Sequence, residues 1–203
     1  MHIIETRAAP NPRRVRIFLA EKSIKVAFEE LNLMAGDLKG EDFMRLNPWQ
    51  RVPVLVMDDG RTIAESVAIC RFFEEINPDP PLFGRDAFEK ATVEMWQRRV
   101  ELGFFSALAH VLRHLNPKMA HLEVPQVPEW GEANKSKVLS ELEALNQRLI
   151  QSRYIAGDHY SIADITALVA FDFMKPARLK APSELRHLWR WYFEVSQRPS
   201  AAA

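Results

Sequence analysis

A single cysteine, Cys70, in 203 residues leaves the chain without an internal disulfide and without a Cys-x-x-Cys redox or zinc motif. Net charge is missing too. Lys+Arg and Asp+Glu both number 27 and the pI is near 7.0, so no global field steers the chain to nucleic acid or an anionic membrane. No uninterrupted apolar run approaches the ~18 residues of a membrane span. The first residues, Met1-His2-Ile3-Ile4-Glu5, have neither the basic n-region nor the apolar h-region of a signal peptide. Internal repeats are absent. What is present is globular: 47% apolar residues for a core and 27% charged residues for solubility. The expectation is a cytoplasmic chain of one domain or two small ones, with no metal and no resident cofactor.

Residues 2–5 read as a short strand. Arg7-Ala8-Ala9-Pro10-Asn11-Pro12 reads as a turn announcing a helix. From Arg13 onward Val15, Phe18 and Leu19 fall at i, i+3, i+4, with Arg13, Arg14 and Arg16 away from that stripe, and the helix stops near Lys22-Ser23. Residues 26–33 read as a second strand, which makes a βαβ unit with a parallel pair. Residues 38–46 form a short helix or irregular segment, ended by Asn47-Pro48. The run Gln50-Arg51-Val52-Pro53-Val54-Leu55-Val56, a turn at Asp58-Asp59-Gly60 and the run Arg61-Thr62-Ile63-Ala64 predict a β-hairpin, followed by a helix over 65–76. A βαβ-ββα order of this kind is thioredoxin-like, a mixed four-stranded sheet with helices on both faces: an α+β half.

Asn77-Pro78-Asp79-Pro80-Pro81 is the proline-dense linker. Domain boundaries are therefore expected at 1–77 and 87–203, with 78–86 between them. Everything after the linker reads as helix. One long pattern covers 87–113 and is stopped by Asn116-Pro117; a polar loop spans 124–130; a second helix covers 132–151, with Val138, Leu142, Leu145 and Leu149 on one face. The helix over 162–174 is apolar nearly all round and belongs at a domain's centre. A last helix covers 184–196. The end, Arg198-Pro199-Ser200-Ala201-Ala202-Ala203, is expected to fray. Ser161-Ile162-Ala163-Asp164 predicts a capping box, with Tyr160 and Ile165 placed for a hydrophobic staple. That geometry accounts for a buried aspartate without catalysis.

Two features point to chemistry. Proline at the first residue of a strand marks an edge or a tight turn that can be cis. In the cis case Val52 presents its N–H and C=O as a two-pronged clamp for an extended, peptide-like ligand. Glu65-Ser66 then sets a carboxylate, a hydroxyl and free N–H groups at a helix start, suited to a ligand's amino and carboxyl groups. A hairpin with an ordinary helix cap explains the same residues without a ligand.

These motifs, the proline linker and the all-helical half together resemble the soluble glutathione transferase superfamily along essentially the whole chain. Ala9-Pro10-Asn11-Pro12-Arg13-Arg14-Val15-Arg16-Ile17-Phe18-Leu19-Ala20-Glu21-Lys22 and Ala64-Glu65-Ser66-Val67-Ala68-Ile69-Cys70-Arg71 are similar to the subgroup named after the second yeast glutathione transferase. The resemblance implies a transferase that conjugates glutathione, its co-substrate, to small hydrophobic electrophiles. It implies that Val52 pairs with the cysteinyl backbone beside a cis Pro53, that Glu65 and Ser66 hold the γ-glutamyl group, and that Gln50 meets the glycine carboxylate. Arg51 and Lys39 are further candidates there, or solvated surface charges.

Other classes activate the thiol with a hydroxyl, yet no Ser, Cys or Tyr lies within residues 5–12, and Ala9 occupies the serine position. The remaining activator is the N-terminus of the first helix, with donors from Arg13 and Arg14 and from the Asn11 side chain or a bound water. For the electrophile pocket the resemblance points to the helix carrying Glu101, Phe104, Phe105, Ser106, Leu108, His110 and His114. Ser106 with His114 is the candidate water-holding pair, and His110 its rival. Cys70 is expected to be inert. A homodimer is implied; a peroxidase and a non-catalytic binding or assembly protein of the same fold are the alternatives.

Overall fold

The computed structural model describes residues 1–203. The chain divides into two units, Met1–Leu82 with Pro199–Ala203, and Phe83–Arg198.

In the first unit, β1 (His2–Glu5), α1 (Pro10–Glu21) and β2 (Ala27–Glu30) form the βαβ start, with β1 and β2 parallel and His2 opposite Ala27. A short helix α2 (Glu41–Leu46) leads to β3 (Val54–Val56), which runs antiparallel to β1 with Ile4 opposite Val54. The turn at Gly60, which takes φ +84°, returns the chain into β4 (Thr62–Ala64), and α3 (Ser66–Ile76) follows. The strand order is β2-β1-β3-β4. Alternation along the strands divides the core. Ile4 and Val54 pack with Leu38 and Phe43 on one face. Ile3 and Leu55, both fully buried, point to the opposite face, where α3 packs against α1 and β3.

Three expectations need correction here. Helix α1 begins at Pro10 rather than Arg13, because proline is at home in a first turn, where its missing N–H goes unneeded. Arg14 and Arg16 are buried, not surface residues: Arg14 is 1% exposed, and Arg16 pairs with Glu5 and donates to the Arg7 carbonyl at 2.9 Å. The chain end does not fray. Pro199–Ala202 forms a 3₁₀ turn against α1, where Arg13 Nη2 donates to the Ala201 carbonyl at 3.0 Å and Ser200 bonds Glu21. This segment sits with the first unit, so the expected 87–203 segment does not keep its last five residues.

The second unit is helical: α4 (Ala87–Arg99), α5 (Ser106–Leu115), α6 (Pro128–Arg148), α7 (Ile162–Phe173) and α8 (Arg186–Ser196). The long helix expected over 87–113 is interrupted by a π-helical turn at Val100–Phe105. Helix α6 starts four residues earlier than expected, with Pro128 in its first turn. Helix α7 is central as predicted, every residue of Ile162–Phe171 being buried. Its capping box is present, and Asp164 does more than cap. One carboxylate oxygen accepts from the Ser161 N–H (3.0 Å) and hydroxyl (3.1 Å). The other accepts from the Ile155 N–H (2.9 Å) and from Trp191 Nε1 on α8 (2.8 Å). Burial pushes its carboxyl up to about 6, against the pull of those four donors.

Candidate functional site

The sheet register gathers the candidate residues of the first unit. Val54 faces Ala64 across the β3–β4 ladder and Ile4 across the β1–β3 ladder. One step beyond these pairs, Pro53 and Glu65 leave the sheet at the same end, and β1 delivers the chain there toward the start of α1. Three segments thus converge at one sheet end: residues 52–53, residues 65–66 and the first turn of α1.

Each segment is held in place locally. The Val52–Pro53 peptide is cis. Behind it, buried Asn47 braces the loop, its Nδ2 donating to the Arg51 carbonyl at 2.8 Å and its Oδ1 accepting the Trp49 N–H at 3.2 Å. Gln50 takes φ +53° and turns its amide onto Met44 Sδ at 3.6 Å. Arg51 and Lys39 are exposed, and Arg51 Nη1 bonds the Gln50 carbonyl at 3.2 Å. Glu65, the residue before α3, takes φ +70°, a left-handed backbone that bulky residues adopt only when their surroundings impose it. This turn directs the first N–H groups of α3 out of the sheet end, and Ser66 follows as the helix's first residue, 4% exposed. Ser66 Oγ accepts from Arg14 Nη1 at 2.7 Å.

The start of α1 offers fewer donors than its sequence suggests. Pro10 and Pro12 carry no N–H, and the Arg13 N–H is already spent on the Ala9 carbonyl at 3.3 Å. Arg13 therefore drops out as an anion donor, its guanidinium being turned to Ala201, and Arg14 has its N–H inside the helix. Asn11 keeps the backbone donor of that turn. The Thr6 hydroxyl donates to the Leu31 carbonyl at 2.7 Å, so it acts as a structural tie.

Residues 8–76 match the family described as glutathione S-transferase, N-terminal domain, and residues 107–199 the one described as glutathione S-transferase, C-terminal domain. The chain belongs to the glutathione S-transferase family. It is 36% identical over 203 residues to glutathione S-transferase 2 of Saccharomyces cerevisiae, covering 98% of this chain and 87% of that one. Among solved structures it resembles a glutathione S-transferase domain-containing protein of Marinobacter aquaeolei VT8, with TM-score 0.95, 36% identity and coverage of 98% and 99%. It also resembles Gtt2 of Saccharomyces cerevisiae, with TM-score 0.94, 36% identity and coverage of 100% and 99%.

In the helical unit of this transferase, Ser106 and His110 line a cavity of about 340 Å³ between the π-helical turn, α5 and α6, together with Gly103, Trp130 and Glu141. Phe105 is buried, 8% exposed. His110 lies below its ordinary pKa, first through burial and then through its neighbours His114 and Arg113. Burial pushes the Glu141 carboxyl up.

His114 is a different case. It is 8% exposed, its Nδ1 accepts the Val127 N–H at 3.0 Å, and its Nε2 faces Glu123 at 3.8 Å. Those contacts pin the loop before α6, and it is His110, one turn after Ser106, that lines the cavity with it, while His114 does not. Sequence reading counted Arg14 only as a donor at the start of α1 and missed its buried side-chain contact with Ser66. Its signal was spacing: position 14 stands four residues before Phe18 and so falls on the buried stripe after all.

Proposed function

We propose that this transferase binds glutathione at the sheet end where residues 52–53, residues 65–66 and the first turn of α1 converge, and conjugates it to small hydrophobic electrophiles. The observation that carries the reading is the register. It brings Val52 and the helix start at Ser66 to the same end of the sheet, where an extended peptide-like ligand could pair with one and place a carboxylate at the other. Val52 pairs with the cysteinyl backbone, Ser66 takes the γ-glutamyl carboxylate, and Glu65 takes its ammonium. Gln50 and Arg51 border the glycine end.

A free thiol of pKa near 8.5 is only a few per cent ionised at neutral pH, so stabilising the thiolate is the main task of catalysis. Here that task falls to the dipole of α1 and the Asn11 N–H rather than to a side-chain hydroxyl. Ser106 and His110 are proposed to border the electrophile. A homodimer and a cytoplasmic setting are in keeping with the family. The thioredoxin-like segment is proposed to act as the glutathione domain, with the helical segment bordering the second substrate.

The test is calorimetric titration with glutathione, followed by a conjugation assay with a chlorinated aromatic electrophile. Expected are binding, turnover, and a bound-thiol pKa below that of free glutathione, read from thiolate absorbance. No binding would refute the reading. Binding without conjugation would favour a binding protein, or a peroxidase if a hydroperoxide is reduced instead.

A further inference from the structure

The contact between Arg14 and Ser66 has a polarity that fixes what the site can recognise. A guanidinium has five N–H donors and no acceptor. When Arg14 Nη1 lies 2.7 Å from Ser66 Oγ, the oxygen must be the acceptor. A serine hydroxyl has one hydrogen, so that hydrogen is left to donate elsewhere. Arg14 is 1% exposed and Ser66 4%, so water does not compete freely for this contact. Ser66 is also the first residue of α3, whose opening N–H groups have no intrahelical acceptor. A hydroxyl hydrogen and backbone N–H groups therefore converge as donors, and a cation bonded to the serine oxygen strengthens the O–H as a donor.

The geometry points to Arg14 as a positioning residue that makes Ser66 a committed donor, so that this corner of the site selects a carboxylate and rejects an ammonium. Arg14 acts through Ser66 and does not itself touch the ligand. The inference rests on the glutathione reading above and deepens it: the carboxylate is that of the γ-glutamyl group, and its ammonium is left to the exposed Glu65 side chain.

The experiment is a double-mutant cycle on glutathione affinity by calorimetry, using wild type, Ser66→Ala, Arg14→Met and the double variant, each checked for native circular dichroism. A hydrogen bond to a charged group is worth about tenfold or more in affinity. Each single variant is expected to weaken binding by about that factor, with the loss in KM for glutathione and not in KM for the electrophile. The double variant is expected to be no weaker than the worse single one. A folded Arg14→Met variant with wild-type affinity, or single effects that multiply in the double variant, would overturn the assignment.

Should Arg14→Met fail to fold, Arg14→Lys and Arg14→Gln are compared on glutathione and on its analogue lacking the γ-glutamyl carboxylate. Lysine is also donor-only and should keep the preference for the carboxylate. The glutamine amide, which can accept the Ser66 hydrogen, should lose part of it. Equal preference in the lysine and glutamine variants overturns the assignment. If wild type binds no glutathione, the underlying reading falls and this one with it; if wild type binds and the Arg14 variants are unaltered, only the Arg14 assignment falls.

Discussion

Replacing Asp164 by alanine separates two accounts of the same motif. If Asp164 only caps α7, its loss should cost about 0.5–2 kcal/mol, the usual range for a helix cap. The structure asks more of it. Truncation leaves the N–H groups of Ile155 and Ser161 and the Trp191 indole N–H without their acceptor, in a place where Asp164 is 0% exposed. Each buried N–H left unsatisfied costs about 1–3 kcal/mol, so the three together should cost about 3–9 kcal/mol. That is a large share of the roughly 5–15 kcal/mol that holds a domain together.

Asp164→Asn keeps the volume and one acceptor oxygen and should cost less than half as much. The sign of the pH effect follows from a carboxyl at about 6 in the fold against 3.8 as the ordinary value. Between those values the folded chain holds a proton that the unfolded chain has lost. The stability from this group is therefore full below pH 3.8 and falls as pH rises through about 6. Urea unfolding followed by circular dichroism at about pH 4.5 and about pH 7 tests both parts. The gap between wild type and Asp164→Ala should be wider at the lower pH. A loss inside the range of a simple cap would refute the three-way tie, and a gap independent of pH would refute the titration.

Further outcomes follow from other contacts. In Gly131→Ala the added Cβ would meet Leu115 Cγ at 2.6 Å and Cδ2 at 2.7 Å where α5 and α6 approach. The variant should lose about 1 kcal/mol in a thermal melt despite alanine's better helix propensity; a raised melting temperature would count against that packing. His110 lies below its ordinary 6.5 first through burial, with His114, Arg113 and Lys137 lowering it further and the acid Glu123 raising it. The unfolded chain therefore binds more protons, and stability from this group is full above pH 6.5 and falls with acidification. His110→Gln should be less acid-sensitive between about pH 7.5 and about pH 5.5, and an unchanged slope would reject the account. Cys70 is 0% exposed and burial pushes its thiol up. Iodoacetamide should label it only as fast as the fold opens, so rapid labelling of the native chain would contradict its burial.

Much of this molecule is legible in local patterns, because those patterns carry their own energetics. The turn at Asp58-Asp59-Gly60, the all-round apolar α7 and the capping box at Ser161 each depend on neighbours within a few residues. Long-range pairing is harder to see. Arg14 and Arg16 have the look of surface charges until Ser66 and Glu5 supply buried partners from other elements. His114 looks poised for chemistry because its ring is polar and lies near a helix end; the N–H that occupies it comes from Val127, thirteen residues on. The π-helical turn leaves no mark on the periodicity, since it changes the bonding of the backbone and not which residues are apolar. At the start of α1 the reverse error arises: two prolines and one early i→i−4 bond use up donors that composition alone counts as free.

The 3₁₀ turn at Pro199–Ala202 makes the first unit discontinuous in sequence. On the ribosome, residues 1–82 emerge before the piece that bonds Arg13 and Glu21 exists, and about 115 residues of helical chain must be made in between. A fragment cut at Leu82 would therefore reproduce the sheet but leave one side of α1 uncovered. A purification tag fused after Ala203 would begin next to the helix whose N-terminus is proposed to face the thiol. For this chain, the choice of where an expressed fragment stops is a choice about the first unit.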